Sequence, residues 1–416
     1  MKKIFITGAK RTAIGTMGGT LKNTSAVELG VIAAKAAMKQ SKVNPEEIDE
    51  TIVGNILSAG LGMGPGRQVS IYAGVPQEKP GFSVNMLCGS GMKSVMLGAT
   101  DILAGEAECV LCGGTENMSM APYLLTNGRF GYRLGDGKIV DHMVNDGLTD
   151  IFNHYHMGMT AENIGDKYAI SRQEQDQFAF ESQEKTAKAI EEGKFKEEIE
   201  PVVIKGKKAD IVFEVDEHPR LTGLDKLANL KPAFKKDGAV TAGNASGIND
   251  GASMTVLMSE EKCQQTGITP MAELVAFAQY GVDPAYMGLG PVGAIKKVLQ
   301  KANMKLKDIE LIELNEAFAV QSLGVIKDLT QEHNVSKEWL MERTNVNGGA
   351  IALGHPIGCS GNRIIVTLIY EMKKRNLKYG LPACVLAAEW EQQSSSRICD
   401  SLTIQRFFFF LFSFFI

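Results

Sequence analysis

The sequence has little excess charge of either sign, and this absence excludes several classes of partner. Its 44 Lys and Arg against 48 Asp and Glu leave a formal net charge of −4 over 416 residues. A chain so close to neutrality gives no reason to expect a nucleic-acid or membrane-surface partner. The apolar run at residues 406–416 is shorter than the roughly 20 residues that a membrane-spanning helix needs.

Cysteine is sparse for a chain of this length, and no pattern of metal ligands is visible. Seven cysteines without a secretory signal fit a reducing compartment and a cytoplasmic protein. A strand pattern follows Lys3 at once, so we expect no signal or transit peptide. We expect no metal site, and we expect four of the cysteines to pack as small apolar side chains: Cys109, Cys112, Cys263 and Cys359.

Strand and helix signals alternate along the chain, which favours an α/β fold. Residues 25–39 are predicted to form a helix that begins with a capping box between Ser25 and Glu28. The more polar stretch from residue 119 to 240 contains a long charged helix and is typical of an insertion. Three segments are predicted to be strands: residues 4–8, 50–55 and 108–114.

The segment 345–361, NVNGGAIALGHPIGCSG, contains five glycines around a single Gly-His-Pro and leads into an apolar helical run. Glycine allows positive φ and the close approach of a ligand, and Pro356 fixes the turn after His355. An imidazole held at a rigid turn suggests general-base catalysis. The alternative is a structural histidine with all its hydrogen bonds made inside a glycine-rich turn.

A second glycine-rich segment, residues 85–93 (NMLCGSGMK), places Cys88 where a strand should give way to a helix. A helix N-terminus is expected to lower the pKa of the thiol, and thiolate with imidazole is the pairing used for covalent acyl transfer. The alternative is a buried, inert thiol. Gly89 and Gly91 argue against that alternative because they leave space around the sulfur.

These segments resemble the motifs of the thiolase family, and the similarity runs from Lys3 to about Gly380. VNMLCGSGMK resembles the family's nucleophile motif, and NEAFA (315–319) and the Gly-His-Pro segment resemble two further signatures. TAGNASGINDGA (241–252) and HMGMTAEN (156–163) resemble the segments that contact CoA. The His156-Met157 pair is similar to the biosynthetic, short-chain branch, which acts on acetoacetyl-CoA or on two acetyl-CoA.

The resemblance implies an αβαβα layered fold built from two duplicated halves plus an inserted loop domain. A weak internal repeat supports the duplication and would bring Cys88 and His355 to equivalent points on a pseudo-dyad. The expected division is residues 1–118 and 241–268 for the N-terminal half, 119–240 for a loop domain that covers CoA, 269–380 for the C-terminal half, and 381–416 for an aberrant tail.

The resemblance also implies a mechanism and a set of site residues. His355 would deprotonate Cys88, which accepts an acetyl group, and a water held by Asn315 together with His355 would bind the enolate oxygen. CoA thioesters would be substrates, no cofactor would be needed, and the protein would be a homodimer or homotetramer. Further residues would contact substrate and CoA: His156, Met157, Arg220, Ser246, Met287, Ala317 and Phe318.

Three of these residues also have structural interpretations. An Asn-Glu pair at the start of a helix, as at Asn315, is often a plain cap. Ser246 could simply end a strand, and Arg220 could be a solvated surface charge. Two other functions stay open for the chain: a degradative 3-ketoacyl-CoA thiolase that accepts long chains, and an inactive thiolase-like protein that binds CoA.

The chain departs from the family pattern at its C-terminus. The family has a cysteine in a Cys-x-Gly strand that moves the α-proton, whereas here Cys384 is followed by Val385 and no glycine-rich strand. Glu389 and Glu391 fall where that buried strand should lie, and burying them would be costly. Shifting the reading frame near residues 380–382 restores ASVCIGGGMGTAIIIENL and puts cysteine at position 385.

As printed, the chain lacks the second catalytic cysteine, so condensation should be impaired even if Cys88 is acylated. Cys384 is one residue away from the expected position, and neighbouring strand residues face opposite sides. Residues 406–416 contain seven phenylalanines and resemble out-of-frame translation, which makes them an aggregation hazard.

Overall fold

The computed structural model describes residues 2–384 and the backbone of residues 406–410. The sequence predictions at Val385, Glu389 and Glu391 lie outside the described residues. Seventeen strands and twelve α-helices alternate along the described chain, which confirms the α/β class.

The strands, numbered in chain order, are β1 (Ile4–Thr12), β2 (Gly15–Thr16), β3 (Glu50–Gly54), β4 (Gly81–Val84), β5 (Cys109–Asn117), β6 (Tyr123–Leu124), β7 (Val140–Asp141), β8 (Thr149–Asp150), β9 (Tyr155–His156), β10 (Ile199–Glu200), β11 (Val202–Ile204), β12 (Ile211–Phe213), β13 (Asn249–Ser259), β14 (Ala272–Ala278), β15 (Leu311–Leu314), β16 (Tyr379–Ala383) and β17 (Arg406–Phe410).

The α-helices are α1 (Ala26–Ser41), α2 (Pro65–Ala73), α3 (Ser90–Ala104), α4 (Met157–Tyr168), α5 (Arg172–Glu191), α6 (Leu224–Ala228), α7 (Glu260–Thr266), α8 (Gly290–Lys301), α9 (Ala319–His333), α10 (Lys337–Met341), α11 (Ala350–Leu353) and α12 (Ile357–Arg375).

The elements expected from the sequence are present. All three predicted strands appear as β1, β3 and β5, and every residue of β5 is buried. Helix α1 begins with the predicted capping box: the Glu28 backbone N–H donates to Ser25 Oγ at 3.2 Å, and the Ser25 N–H donates to Glu28 Oε2 at 2.7 Å. Local sequence signals are sufficient here because cap and helix lie within a few residues of each other.

The main sheet shows the duplication that the sequence repeat indicates. Its order is β15-β16-β17-β14-β1-β13-β5-β3-β4, and β1 pairs with β14 where the two halves meet. In the N-terminal half, β3 runs parallel to β5, and in the C-terminal half, β15 runs parallel to β16. The pairing of β3 with β4 also has a counterpart, a parallel bridge between Ile312 and Thr344.

The helices form layers on and between these halves. Helices α1 and α2 lie against strands of the N-terminal half, and α8 lies against β14 of the C-terminal half. Helices α3 and α12 contact each other and strands of the sheet, with α12 touching β5 and β13 as well as β15 and β16. The two motif-bearing helices therefore occupy the central layer of an αβαβα arrangement.

Glycines allow α3 and α12 to approach each other closely. A Cβ on Gly91 would lie 2.8 Å from the Gly358 carbonyl oxygen, and a Cβ on Gly361 would lie 2.7 Å from the Met92 backbone nitrogen. Gly114 of β5 is under the same constraint, with its Cβ position 1.9 Å from the Gly358 oxygen. Each helix thus meets the backbone of the other through a glycine, as expected for two helices that a pseudo-dyad relates.

The tail provides the strand that completes the C-terminal half, but in an unexpected direction. The backbone of β17 lies between β16 and β14 and pairs parallel with both. Its counterpart β13 lies between β5 and β1 and pairs antiparallel with both. The duplication therefore predicts an antiparallel strand at the place where this chain has a parallel one.

We expect Gly114→Ala to lower the free energy of unfolding by about 3 kcal/mol, because the new methyl group would overlap the Gly358 carbonyl across a packed backbone. Chemical denaturation monitored by circular dichroism measures this change. Gly223→Ala is the matched control, since no atom lies within 4 Å of its Cβ position. Equal stability of the two variants would contradict the close contact.

Candidate active site

Cys88 lies on a tight strand-to-helix turn. Leu87 has a positive φ of 44°, a left-handed conformation that is strained for a side chain branched at Cγ. Ser90 holds the turn from both sides: its Oγ donates to the Leu87 carbonyl oxygen at 2.7 Å and accepts from the Met86 N–H at 2.8 Å. The turn places Cys88 immediately before the first residues of α3.

The expectation that the helix N-terminus lowers the pKa of Cys88 is wrong. Cys88 packs against an apolar cluster that includes Leu57, Met143 and Ile357. Burial raises the pKa of the Cys88 thiol to about 12, and the field of the Glu116 carboxylate adds to the rise. The resting nucleophile is thus a neutral thiol, because the cost of desolvating a thiolate exceeds the benefit of the helix N–H groups.

His355 is buried where the chain enters α12, with 6% of its surface exposed. Its backbone N–H donates to Asn249 Oδ1 at 2.9 Å, and Asn249 Nδ2 in turn donates to the Gly15 carbonyl oxygen at 3.0 Å. Gly354, the preceding residue, has a φ of 102°, which favours glycine. These contacts fix the backbone at the histidine, as the Gly-His-Pro pattern predicts.

The ring of His355 has one engaged nitrogen and one free nitrogen. Nδ1 lies 2.6 Å from Ser360 Oγ, and that hydroxyl donates to the Pro356 carbonyl oxygen at 3.0 Å. With its own proton used in this way, Ser360 Oγ accepts from Nδ1–H, so we assign the lone pair to Nε2. Nε2 has no hydrogen-bond partner among the described residues.

The same burial keeps the imidazole neutral. Burial first, and the positive charge of Arg363 second, lower the pKa of His355 to about 3. A neutral imidazole with a free Nε2 can accept a proton from a thiol at any physiological pH. Helices α3 and α12 contact each other, and Ile357, two residues after His355, packs in the apolar cluster that Cys88 contacts. The segments that carry Cys88 and His355 therefore lie next to each other.

Asn315 follows β15 and is fully buried. Its backbone N–H donates to the Ala383 carbonyl oxygen at 2.8 Å. In the described part of the chain neither Oδ1 nor Nδ2 of its side chain has a hydrogen-bond partner. An unpaired amide at such depth is costly, and a bound water or substrate oxygen would satisfy it.

Five of the expected substrate residues lie in one place. His156 is the N-cap of α4, and its ring stacks on Phe234 with the centroids 4.6 Å apart. Phe234 also meets Phe318 edge-to-face at 6.2 Å. The same apolar cluster includes Met157, Met287 and Ala317. Phe234 is missed by the sequence analysis because the surrounding KPAFKKDG is polar and carries no signal of a site.

A cavity of about 240 Å³ adjoins the nucleophile turn. Leu87, Met157 and Met287 form part of its wall. The rest of the wall includes segment 149–152 of the polar insertion, which ends in the half-exposed Phe152. The cavity therefore joins the insertion to the turn that carries Cys88, an arrangement suited to an elongated ligand with a reactive end at the thiol.

The other two expected contacts differ from each other. The Ser246 N–H donates to the Ala317 carbonyl oxygen at 2.9 Å, which places Ser246 beside the cluster of substrate residues. Arg220 is exposed, and its backbone N–H donates to Gln183 Oε1 of α5 at 2.9 Å. No contact of the described residues joins its side chain to the cluster.

Cys384 lies beside the nucleophile despite being one residue away from the family position. It is fully buried, and its Sγ donates to the Cys88 carbonyl oxygen at 3.2 Å. A second thiol is thus present at the site, although it is directed to the backbone of Cys88.

The described residues contain neither a group of metal ligands nor a membrane-spanning helix. No group of three His, Cys, Asp or Glu side chains within residues 2–384 is arranged to hold a metal ion. No helix among the described residues is long and apolar enough to cross a bilayer.

The fold belongs to the layered α/β class, with Cys88 and His355 on the segments that precede its two contacting helices, α3 and α12. The model "Thiolase, N-terminal domain" matches residues 4–261, and "Thiolase, C-terminal domain" matches residues 268–392. An acetyl-CoA acetyltransferase of Syntrophomonas wolfei is 54% identical over 382 residues, 91% of this chain and 95% of that protein. The Cupriavidus necator acetyl-CoA acetyltransferase is 49% identical over 92% of this chain and 95% of its own length.

Solved structures agree with this similarity. The S. wolfei acetyl-CoA acetyltransferase superposes with a TM-score of 0.91 and 44% identity over 93% of this chain and 97% of its own. The human mitochondrial 3-ketoacyl-CoA thiolase has a TM-score of 0.88 and 44% identity over 93% of this chain and 96% of its own. The chain belongs to the thiolase family.

We expect neither His355 nor Cys88 to cause an inflection in the rate of Cys88 acylation between about pH 5 and about pH 9, because the His355 imidazole stays unprotonated and the Cys88 thiol stays protonated over that range. In His355→Ala, the reaction would depend on rare thiolate, so its rate should rise about tenfold per pH unit. Rapid-quench mass spectrometry measures both profiles. A tenfold rise per pH unit in the unmodified protein would show that His355 is not the base.

Proposed function

We propose that the chain is an acetyl-CoA C-acetyltransferase, which reversibly condenses two acetyl-CoA to acetoacetyl-CoA and CoA. The observation that carries this proposal is that the two contacting helices α3 and α12 follow a neutral Cys88 thiol and a neutral His355 imidazole whose Nε2 has no partner among the described residues. Support also comes from the 54% identity to a relative that is named an acetyl-CoA acetyltransferase.

The first half-reaction transfers an acetyl group to the enzyme. His355 Nε2 removes the thiol proton as Cys88 Sγ attacks the acetyl carbonyl, and the protonated imidazole then gives that proton to the departing CoA sulfur. The backbone N–H of Cys88 is the donor for the tetrahedral oxyanion. One fixed donor of this kind is worth roughly 3–4 kcal/mol of transition-state stabilisation.

The second half-reaction needs an enolate. In the family, the thiolate of the Cys-x-Gly cysteine takes the α-proton of a second acetyl-CoA. The enolate carbon then attacks the acetyl-enzyme carbonyl, and the Cys88 thiolate leaves and recovers that proton. A water held by the unpaired amide of Asn315, together with His355, would bind the enolate oxygen. The cluster that includes Met157, Met287 and Phe318 would hold the thioester end of the substrate, and Ser246 would contact the pantetheine.

The length of the acyl chain is the point on which a second function competes. The human mitochondrial 3-ketoacyl-CoA thiolase has nearly the same TM-score as the bacterial acetyltransferases. We place this chain with the short-chain enzymes on the His156-Met157 pair. Relative rates of thiolysis across a series of 3-ketoacyl-CoA lengths discriminate the two: a short-chain enzyme should lose most of its rate beyond four carbons.

The remaining features of the proposal follow from the family. CoA thioesters are substrates, no metal or cofactor takes part, and the protein is cytoplasmic and assembles as a homodimer or homotetramer. Residues 119–240 form the loop domain over CoA, between N-terminal-half segments 1–118 and 241–268, with 269–380 as the C-terminal half and 381–416 as the aberrant tail. Arg220 lies against the adenine in this proposal.

We expect acetyl-CoA to add one acetyl group to Cys88, visible by intact-protein and peptide mass spectrometry. Cys88→Ala should abolish the acetylated species because the attacking sulfur is gone. Cys359→Ala is the matched control, since Cys359 is a buried thiol on α12 without a proposed role. Acetylation of Cys88→Ala, or CoA binding without any acyl-enzyme, would refute the proposal.

We expect the printed chain to form the acyl-enzyme but to condense poorly, because Val385 replaces the cysteine that moves the α-proton in the family. A chain that continues after Leu381 with ASVCIGGGMGTAIIIENL should gain acetoacetyl-CoA synthesis and thiolysis. Cys384→Ala in the printed chain tests whether the nearby thiol substitutes. Full thiolysis by the printed chain that is lost in Cys384→Ala would show that Cys384 performs the proton transfer.

A further inference from the structure

Glu116 is a completely buried carboxylate at the end of β5, and the proposed mechanism does not use it. Its Oε1 accepts from Asn55 Nδ2 at 3.0 Å and from the Leu57 N–H at 3.1 Å. Its Oε2 accepts from the Ile56 N–H at 3.1 Å and from the Gly358 N–H at 3.0 Å. Four N–H donors therefore meet the two oxygens of one carboxylate.

These four donors come from the two segments that enclose the thiol. Ile56 and Leu57 follow β3 and pack in the apolar cluster that contacts Cys88. Gly358 lies in the first turn of α12, three residues after His355. The backbone of Asn55 also donates to the Val84 carbonyl oxygen at 3.1 Å, so the loop holds the end of the strand that leads to Cys88.

Gly358 packs tightly against the Glu116 carboxylate. A Cβ on Gly358 would lie 2.7 Å from Glu116 Oε2 and 2.9 Å from the Thr115 carbonyl oxygen. The first turn of α12 therefore rests directly on the carboxylate. A carboxylate accepts four N–H donors with its four lone-pair sites, and a neutral amide or acid of the same shape does not.

We propose that Glu116 is a positioning residue that fixes His355 relative to Cys88 by tying the first turn of α12 to loop 55–57. The inference rests on the proposed function for its activity readout, but the linkage itself is a property of the structure. Glu116 touches neither the thiol nor the imidazole in this role. It acts through Gly358 on one side and through Ile56 and Leu57 on the other.

Burying the Glu116 carboxylate has an electrostatic cost, which argues that the side chain has a role. Burial and the neighbouring Asp250 carboxylate raise the pKa of Glu116 to about 7, while its backbone donors oppose that rise. The same negative charge raises the pKa of Cys88. A carboxylate in this place therefore makes the nucleophile harder to ionise, and what it provides in return is the geometry of two segments.

The test compares Glu116→Gln with Glu371→Gln. Glu371 is also a buried carboxylate on α12, but its partners, Asn347 and Arg375, lie toward the far end of the helix. The activity readout is the acetylation of Cys88 by acetyl-CoA. That step does not use the family's second cysteine, whose place is taken here by Val385. Its maximal rate and its half-saturating concentration are measured separately.

We expect Glu116→Gln to lower the maximal acetylation rate about 10- to 100-fold and to change the half-saturating concentration less than about threefold, because a misplaced base affects the reaction and not the binding of CoA. Glu371→Gln should stay within about twofold of the unmodified protein in both quantities. Equal losses in the two variants, or a loss confined to half-saturation in Glu116→Gln, would overturn the proposal.

Hydrogen exchange gives a second readout that needs no activity. In Glu116→Gln, exchange should accelerate at residues 56, 57 and 358 and stay unchanged at the far end of α12. Unchanged protection at these three amides would overturn the proposal even if acetylation were slow. If Glu116→Gln does not fold, Asn55→Ala removes one donor of the four and should give the same pattern with a rate loss of about three- to tenfold. An unmodified protein that is never acetylated would refute the proposed function and leave the exchange test in force.

Discussion

The close contact between α3 and α12 is the constraint on which the site depends. Glycines at positions 91 and 361 remove the Cβ atoms that would hold the helices apart, and glycines at positions 114 and 358 let α12 lie directly on β5. The segments that carry Cys88 and His355 lead into these two helices, so the approach of the helices brings the two segments together. Burial keeps both groups in their neutral forms.

Two arginines are also buried near these segments, and they are paired to different degrees. Arg363 lies 3.5 Å from Glu313, both fully enclosed, and Arg11 is bound by Glu198 and Asp216. Buried ion pairs of this kind contribute little net stability, since desolvation offsets their attraction. Here the two arginines lie on β1 and α12. The positive charge of Arg363 also disfavours the protonated form of His355.

Much of the fold and site could be predicted from the sequence. The α/β class and helix α1 with its capping box follow from short motifs, and the contact between the helices that follow Cys88 and His355 agrees with the sequence repeat. The catalytic pairing of the two residues stays a prediction. Properties that depend on the assembled interior could not be predicted. The pKa of Cys88 was expected to fall and is raised instead, because desolvation by residues distant in sequence exceeds the effect of the local helix. Phe234 had no local signal, since its partners His156 and Phe318 are far along the chain.

Strand β17 pairs with β14 but is among the last residues of the chain, which affects how the sheet forms during biosynthesis. Strand β14 ends at Ala278 and β17 begins only at Arg406, so one edge of β14 lacks β17 as a partner while the residues between them are synthesised. Strand edges bind any extended segment of sufficient apolarity, since most of the recognition is between backbones. The half-made chain therefore presents one unpaired backbone edge to extended segments of other chains.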